Sequence, residues 1–108
     1  MKDGLYGVKF QTPFGAGAGV IVKVGERVFG GDTGFAWDGD LNVANDVLVG
    51  QLNVQRHDQG MASVFGPLNN FVLTFNGSGN EDSATLTAST TSAPGVNMRV
   101  EMKLLKAA

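Results

Sequence analysis

The sequence predicts an all-β domain in which eight antiparallel strands, joined by consecutive hairpins, close into an up-and-down barrel. Three observations lead there. Apolar residues recur with a period of two in the patterned stretches, as in half-buried strands. The 16 Gly and 3 Pro sit between those stretches or at bends within them, where turn chemistry needs them. No segment shows a convincing long helix that could cross over between strands, so neighbours in sequence pair antiparallel.

The first predicted strand runs from Leu5 to Gln11, with Tyr6, Val8 and Phe10 on one face and Gly7 and Lys9 on the other. Thr12-Pro13-Phe14-Gly15 breaks it. The second spans Ala16 to Val24 and has two unlike faces: Ala18, Val20, Val22 and Val24 against Gly17, Gly19, Ile21 and Lys23. After a turn at Gly25 comes a short third strand, Arg27 to Gly31, ended by Gly30-Gly31-Asp32-Thr33-Gly34. The fourth follows from Phe35 to Val43. Asn45-Asp46 is a hairpin signal, and the fifth strand, Val47 to Arg56, turns Leu48, Gly50, Leu52 and Val54 inward.

Alternation fails between His57 and Asn69, where one short helical turn is expected near residues 61–66, stopped by Gly66 and Pro67. The sixth strand, Asn70 to Asn76, groups Phe71, Leu73 and Phe75 ahead of a turn at Asn76-Gly77-Ser78-Gly79-Asn80. The seventh is Ser83 to Thr90. Pro94-Gly95 predicts a turn because Pro presets φ and Gly accepts a positive φ at the next position. In the eighth strand, Val96 to Lys106, Val96, Met98, Val100, Met102 and Leu104 alternate with Asn97, Arg99, Glu101 and Lys103. An open sheet of eight strands leaves two long unpaired edges, and closure removes both. A β-sandwich is the alternative, since periodicity does not separate one curled sheet from two stacked ones.

A chain of 108 residues has the length of one domain, here residues 1–108. It contains no Cys, so a disulfide framework, a thiolate metal site and a cysteine nucleophile are all out of reach. Met1-Lys2-Asp3-Gly4 does not begin a signal peptide and no apolar run reaches membrane-spanning length, so a soluble cytoplasmic protein is expected, with no membrane partner. Eight Lys and Arg against ten Asp and Glu give no basic cluster. Lys9, Lys23, Arg27, Arg56, Arg99, Lys103 and Lys106 are scattered, which argues against a direct nucleic-acid partner.

Motif-like stretches reduce to structure. His57, the lone histidine, stands between Arg56 and Asp58 at a strand end, and an adjacent acid in sequence does not orient a general base. Asp38-Gly39-Asp40-Leu41-Asn42 begins like a calcium loop, but the twelfth position is Val49 and no Gly follows Asn42. Gly15-Ala16-Gly17-Ala18-Gly19 has neither phosphate-loop nor dinucleotide-binding spacing. Asn76-Gly77-Ser78 reads as a turn. The sequence therefore predicts no enzyme, no catalytic residue, no cofactor and no metal. Phe10, Phe29, Phe35, Trp37, Phe71 and Phe75 could line a cavity for a small apolar ligand or fill it. A mostly filled core is the expectation, with Phe10, Phe35, Trp37, Phe71 and Phe75 as the candidate cavity residues.

The start Met1-Lys2-Asp3-Gly4-Leu5-Tyr6, then Gly17-Ala18-Gly19-Val20, Gly30-Gly31-Asp32, Gly39, Val54-Gln55-Arg56-His57 and Ser63-Val64-Phe65-Gly66 together resemble the GrlR family. This family comprises negative regulators of type III secretion genes and their bacterial relatives. The resemblance implies a calycin-like, lipocalin-like barrel, a homodimer, and regulation by sequestering a transcriptional activator. In the family an acidic Glu-Asp-Glu-Asp run contacts that partner. The matching loop here is Val43-Ala44-Asn45-Asp46, which keeps one acid, so the protein partner is unidentified.

Overall fold

The computed structural model describes residues 1–60 and 63–108. The chain forms a closed barrel of eight antiparallel strands in chain order. They are β1 (Gly4–Thr12), β2 (Gly15–Val24), β3 (Arg27–Gly31), β4 (Phe35–Ala44), β5 (Val47–Arg56), β6 (Asn70–Gly79), β7 (Ser83–Ser89) and β8 (Asn97–Ala107). β8 returns to pair with β1, so one continuous ladder runs round the barrel and the sandwich alternative is excluded. The β1–β8 seam carries a bulge: Leu5 pairs with Lys106 and Tyr6 with Leu104, leaving Leu105 as the extra residue.

Local sequence explains the tight turns. Asn45 and Asp46 have φ of 51° and 67°, the paired positive values of a type I′ hairpin, and they join β4 to β5 through the Ala44–Val47 pair. Gly95 has φ of 81° behind Pro94, and the Val96 amide donates to the Ala93 carbonyl at 3.3 Å, as a Pro-Gly turn requires. Asp32 holds the β3–β4 turn, its carboxylate accepting from the amides of Gly34 at 3.0 Å and Phe35 at 2.9 Å.

Two expectations are corrected. The segment Asn76–Gly79 is strand rather than turn, because Gly77 pairs with Leu48 on one side and Leu86 on the other, so ladder bonds hold it extended. The chain reverses instead after Asn80, whose side chain accepts from the amides of Asp82 and Ser83 at 3.0 Å. No helix occurs among the described residues. Of the expected helical turn, Met61 and Ala62 lie outside the described residues, and Ser63 to Gly66 form a β-turn. The Gly66 amide donates to the Ser63 carbonyl at 3.1 Å and Gly66 takes φ of 101°, a left-handed value that ends a turn rather than extending a helix.

The core comes from the inward row of each strand. Tyr6, Val28, Leu41 and Leu48 are its largest fully buried side chains. On β2 the buried face is the one bearing Ile21 and Lys23, while Val20 and Val24 face out. Lys23 reaches the barrel end closed by the segment before β1, where its ammonium lies 3.0 Å from Asp3 Oδ1. The same oxygen accepts from the Gly25 amide at 3.0 Å. The Tyr6 hydroxyl donates to the Lys2 carbonyl, and the Lys2 amide donates to the Glu81 carbonyl at 2.9 Å. Burial raises the Tyr6 phenol above its usual pKa, with Asp3, Asp82 and Glu81 adding to the effect.

The hydrogen bond from Lys23, followed by that from Gly25, holds the Asp3 carboxyl below its ordinary pKa. A depressed carboxyl stabilises the fold above its unfolded pKa of about 3.9 and loses that contribution as pH falls through the folded value. Thermal melts of Asp3→Asn against the wild type should therefore differ steadily above about pH 5, and the gap should shrink below about pH 4. Lys23→Met, which removes the buried charge and keeps the apolar stem, should melt higher than Asp3→Ala, which leaves the ammonium buried and unpaired.

Candidate functional site

Every strand sends its inward row towards one interior space, a cavity of about 130 Å³. Phe10, Phe35, Trp37, Phe71 and Phe75 line it. Phe29, grouped with them by sequence, faces solvent at 41% exposure, because β3 turns Val28 inward and leaves its neighbours outside. Phe65 is the lining residue that periodicity missed. It comes from the β-turn after β5, is buried, and meets Phe71 edge to face with centroids 5.7 Å apart. Its signal in the sequence was a lone aromatic flanked by Val64 and Gly66 in an otherwise polar connection.

The cavity survives because some rings are seated on the wall rather than packed across the middle. Phe10 pairs across strands with Gly17, and a Cβ at Gly17 would stand 2.6 Å from the Phe10 ring. A Cβ at Gly19 would stand 2.6 Å from Trp37 Cη2 and 2.5 Å from the Gly31 carbonyl oxygen. Phe10 and Trp37 then meet edge to face at 5.7 Å. Arg56 stacks its guanidinium over Phe35, 4.8 Å from the ring centroid, and hydrogen-bonds the Leu68 carbonyl and the Asn69 side chain.

Among the described residues, Asp32 and Ser63 are the lining residues with acidic or hydroxyl side chains, and both are engaged. Asp32 caps its turn as described, and Ser63 Oγ accepts from the Phe65 amide at 3.0 Å. The Thr12 hydroxyl accepts from the Phe14 amide at 3.1 Å and donates to the Val64 carbonyl, tying the Phe65 turn to β1. Apart from Asp32 and Ser63, the side chains of this lining are apolar.

His57 does not meet Asp58. Its Nε2 lies 3.1 Å from the Asp32 carbonyl oxygen, and its amide donates to the Gly34 carbonyl at 2.8 Å. Asp58 instead accepts from the Gly60 amide at 2.8 Å. Asp38 and Asp40 are exposed on β4, opposite Asn53 and Gln51 of β5, in extended backbone rather than a cation-binding loop. Val43, Ala44, Asn45 and Asp46 form an exposed hairpin tip at the end away from Phe65.

The outer wall carries a second feature. Leu5, Val22 and Phe29 lie opposite one another across β1, β2 and β3. Val20 and Val24 flank Val22, and the bulged Leu105 reaches over Gly7, the cross-strand partner of Val20. Four of these are substantially exposed: Val20, Val24, Phe29 and Leu105. Together they form a contiguous, largely apolar stretch of the outer sheet face.

Gly19→Ala should destabilise by about 1–3 kcal/mol, the range for overpacking, because the Gly31 backbone cannot yield. Gly17→Ala should cost less, since the Phe10 ring can move into the cavity. Denaturant titration gives the ranking, and the emission of Trp37 should shift in Gly19→Ala.

No helix among the described residues is long and apolar enough to cross a membrane. No protein-family model matches the chain, and none of the curated proteins does.

Proposed function

We propose that this barrel is a non-enzymatic binding module that works as a homodimer and occupies a protein partner. The observation that carries the reading is the outward row of half-buried Leu5 and Val22 with exposed Phe29, with exposed Val20, Val24 and Leu105 around it. An apolar face with Lys9, Arg27, Asp38 and Lys103 about its rim suits a self-complementary two-fold interface, in which each patch covers the other. The exposed tip at Val43 to Asp46 remains free for a second protein. Its partner class, by the resemblance to the GrlR family, is a transcriptional activator in the cytoplasm. With one acid at that tip, recognition there depends on shape and backbone contacts more than on charge.

Sedimentation equilibrium tests the dimer. The wild type should self-associate, and Val20→Glu or Phe29→Glu should weaken association by roughly tenfold or more while leaving the melting curve intact. A wild-type chain that stays monomeric at its highest soluble concentration rejects the dimer. Unchanged association in both variants moves the interface elsewhere.

A second reading is that the interior binds a small apolar ligand. The cavity of about 130 Å³ between aromatic walls favours it. The two readings use opposite faces of the same sheet and do not compete.

A further inference from the structure

We infer that the interior is a site for one neutral, ring-sized apolar molecule, of the size of benzene or a short cyclic alkane, and that it excludes lipids and anionic aromatics. The inference rests on the second reading above and narrows it. Size sets the first limit. Pockets for drug-sized ligands run to about 300–1,000 Å³, whereas an apolar cavity of about 150 Å³ in another protein stays dry and takes benzene. The cavity here, about 130 Å³, belongs to the second class.

Chemistry sets the second limit. A water molecule needs two to four polar partners to settle in such a space. Asp32 Oδ1 accepts from the Gly34 and Phe35 amides and Ser63 Oγ from the Phe65 amide, and no buried side-chain N or O among the described residues lacks a partner. A carboxylate carried inside would lose its hydration and meet the Asp32 carboxylate in place of a cation. A neutral ring requires no hydrogen-bond partner there and gains contact with Phe10, Phe35, Trp37, Phe71 and Phe75. Edge-to-face packing suits such a guest, and the T-shaped Phe10–Trp37 pair already shows that geometry on one wall. Met98 and Met102 add polarisable, conformationally adaptable surface that can close around it.

The test uses the intact chain and three probes: fluorobenzene, benzoate and palmitate. Binding is followed by ¹⁹F NMR for fluorobenzene and by Trp37 emission for all three. The expected result is saturable binding of fluorobenzene with a change at Trp37, and none for benzoate or palmitate. Ala88→Leu, which extends a buried side chain of the lining into the space, should weaken fluorobenzene binding at least tenfold. Should that variant fail to fold, competition of fluorobenzene by cyclohexane but not by palmitate in the wild type carries the same decision. Palmitate binding without fluorobenzene binding overturns the ring-sized site and leaves the broader apolar-ligand reading standing. Failure of every probe overturns both. Fluorobenzene binding equally tight in a folded Ala88→Leu places the ligand outside the barrel and rejects the inference.

Discussion

Closure of β1 against β8 is the constraint on which the rest of this structure depends. β1 is paired along both edges, to β2 and to β8, so the sheet has no free edge to recruit another chain. Closure also divides each strand into residues that face a confined interior and residues that face water, and a slip of one residue would exchange the two sets. The bulge at Leu105 belongs to the same constraint. It absorbs one extra residue at the seam, so the inward rows of β1 and β8 stay in phase on either side of it.

β2 shows how strongly the interior imposes its choice. Facing its valines inward would place Ala18 and Val20 where Phe10 and Trp37 now rest on Gly17 and Gly19. The barrel keeps the rings and turns Val20 and Val24 outward, which brings Lys23 inside. Burying an ammonium is costly unless it is paired, and Asp3 supplies the partner from outside the strands. One packing decision thus links the apolar outer face, the ion pair between buried Lys23 and exposed Asp3, and the placing of the first three residues.

The same decision leaves the central space open. An eight-stranded barrel is just wide enough to be filled by side chains or to hold one small ligand. Rings resting against glycine take up wall rather than centre, and Phe65 covers the end from a connecting turn instead of from a strand. The proposed small guest within and protein partner outside would therefore use separate surfaces.

Most of the fold was legible in the chain. Period-two alternation located all eight strands, and Asn45-Asp46 and Pro94-Gly95 named their own turns, because these signals depend on a residue and its near neighbours. Asn76–Gly79 misled because a Gly-rich stretch reads as a turn until strands on both sides pair with it. Phe29 misled for a similar reason: its short strand carries a single buried position, and Val28 holds it. Sequence also separated the two faces of β2 without deciding between them. Ring against glycine, Lys23 against Asp3 and Phe65 against Phe71 are contacts between residues distant in the chain. Local chemistry determined where this protein has strands and turns, and only closure of the barrel decided what lies inside, since volume within a barrel is shared by all eight strands at once.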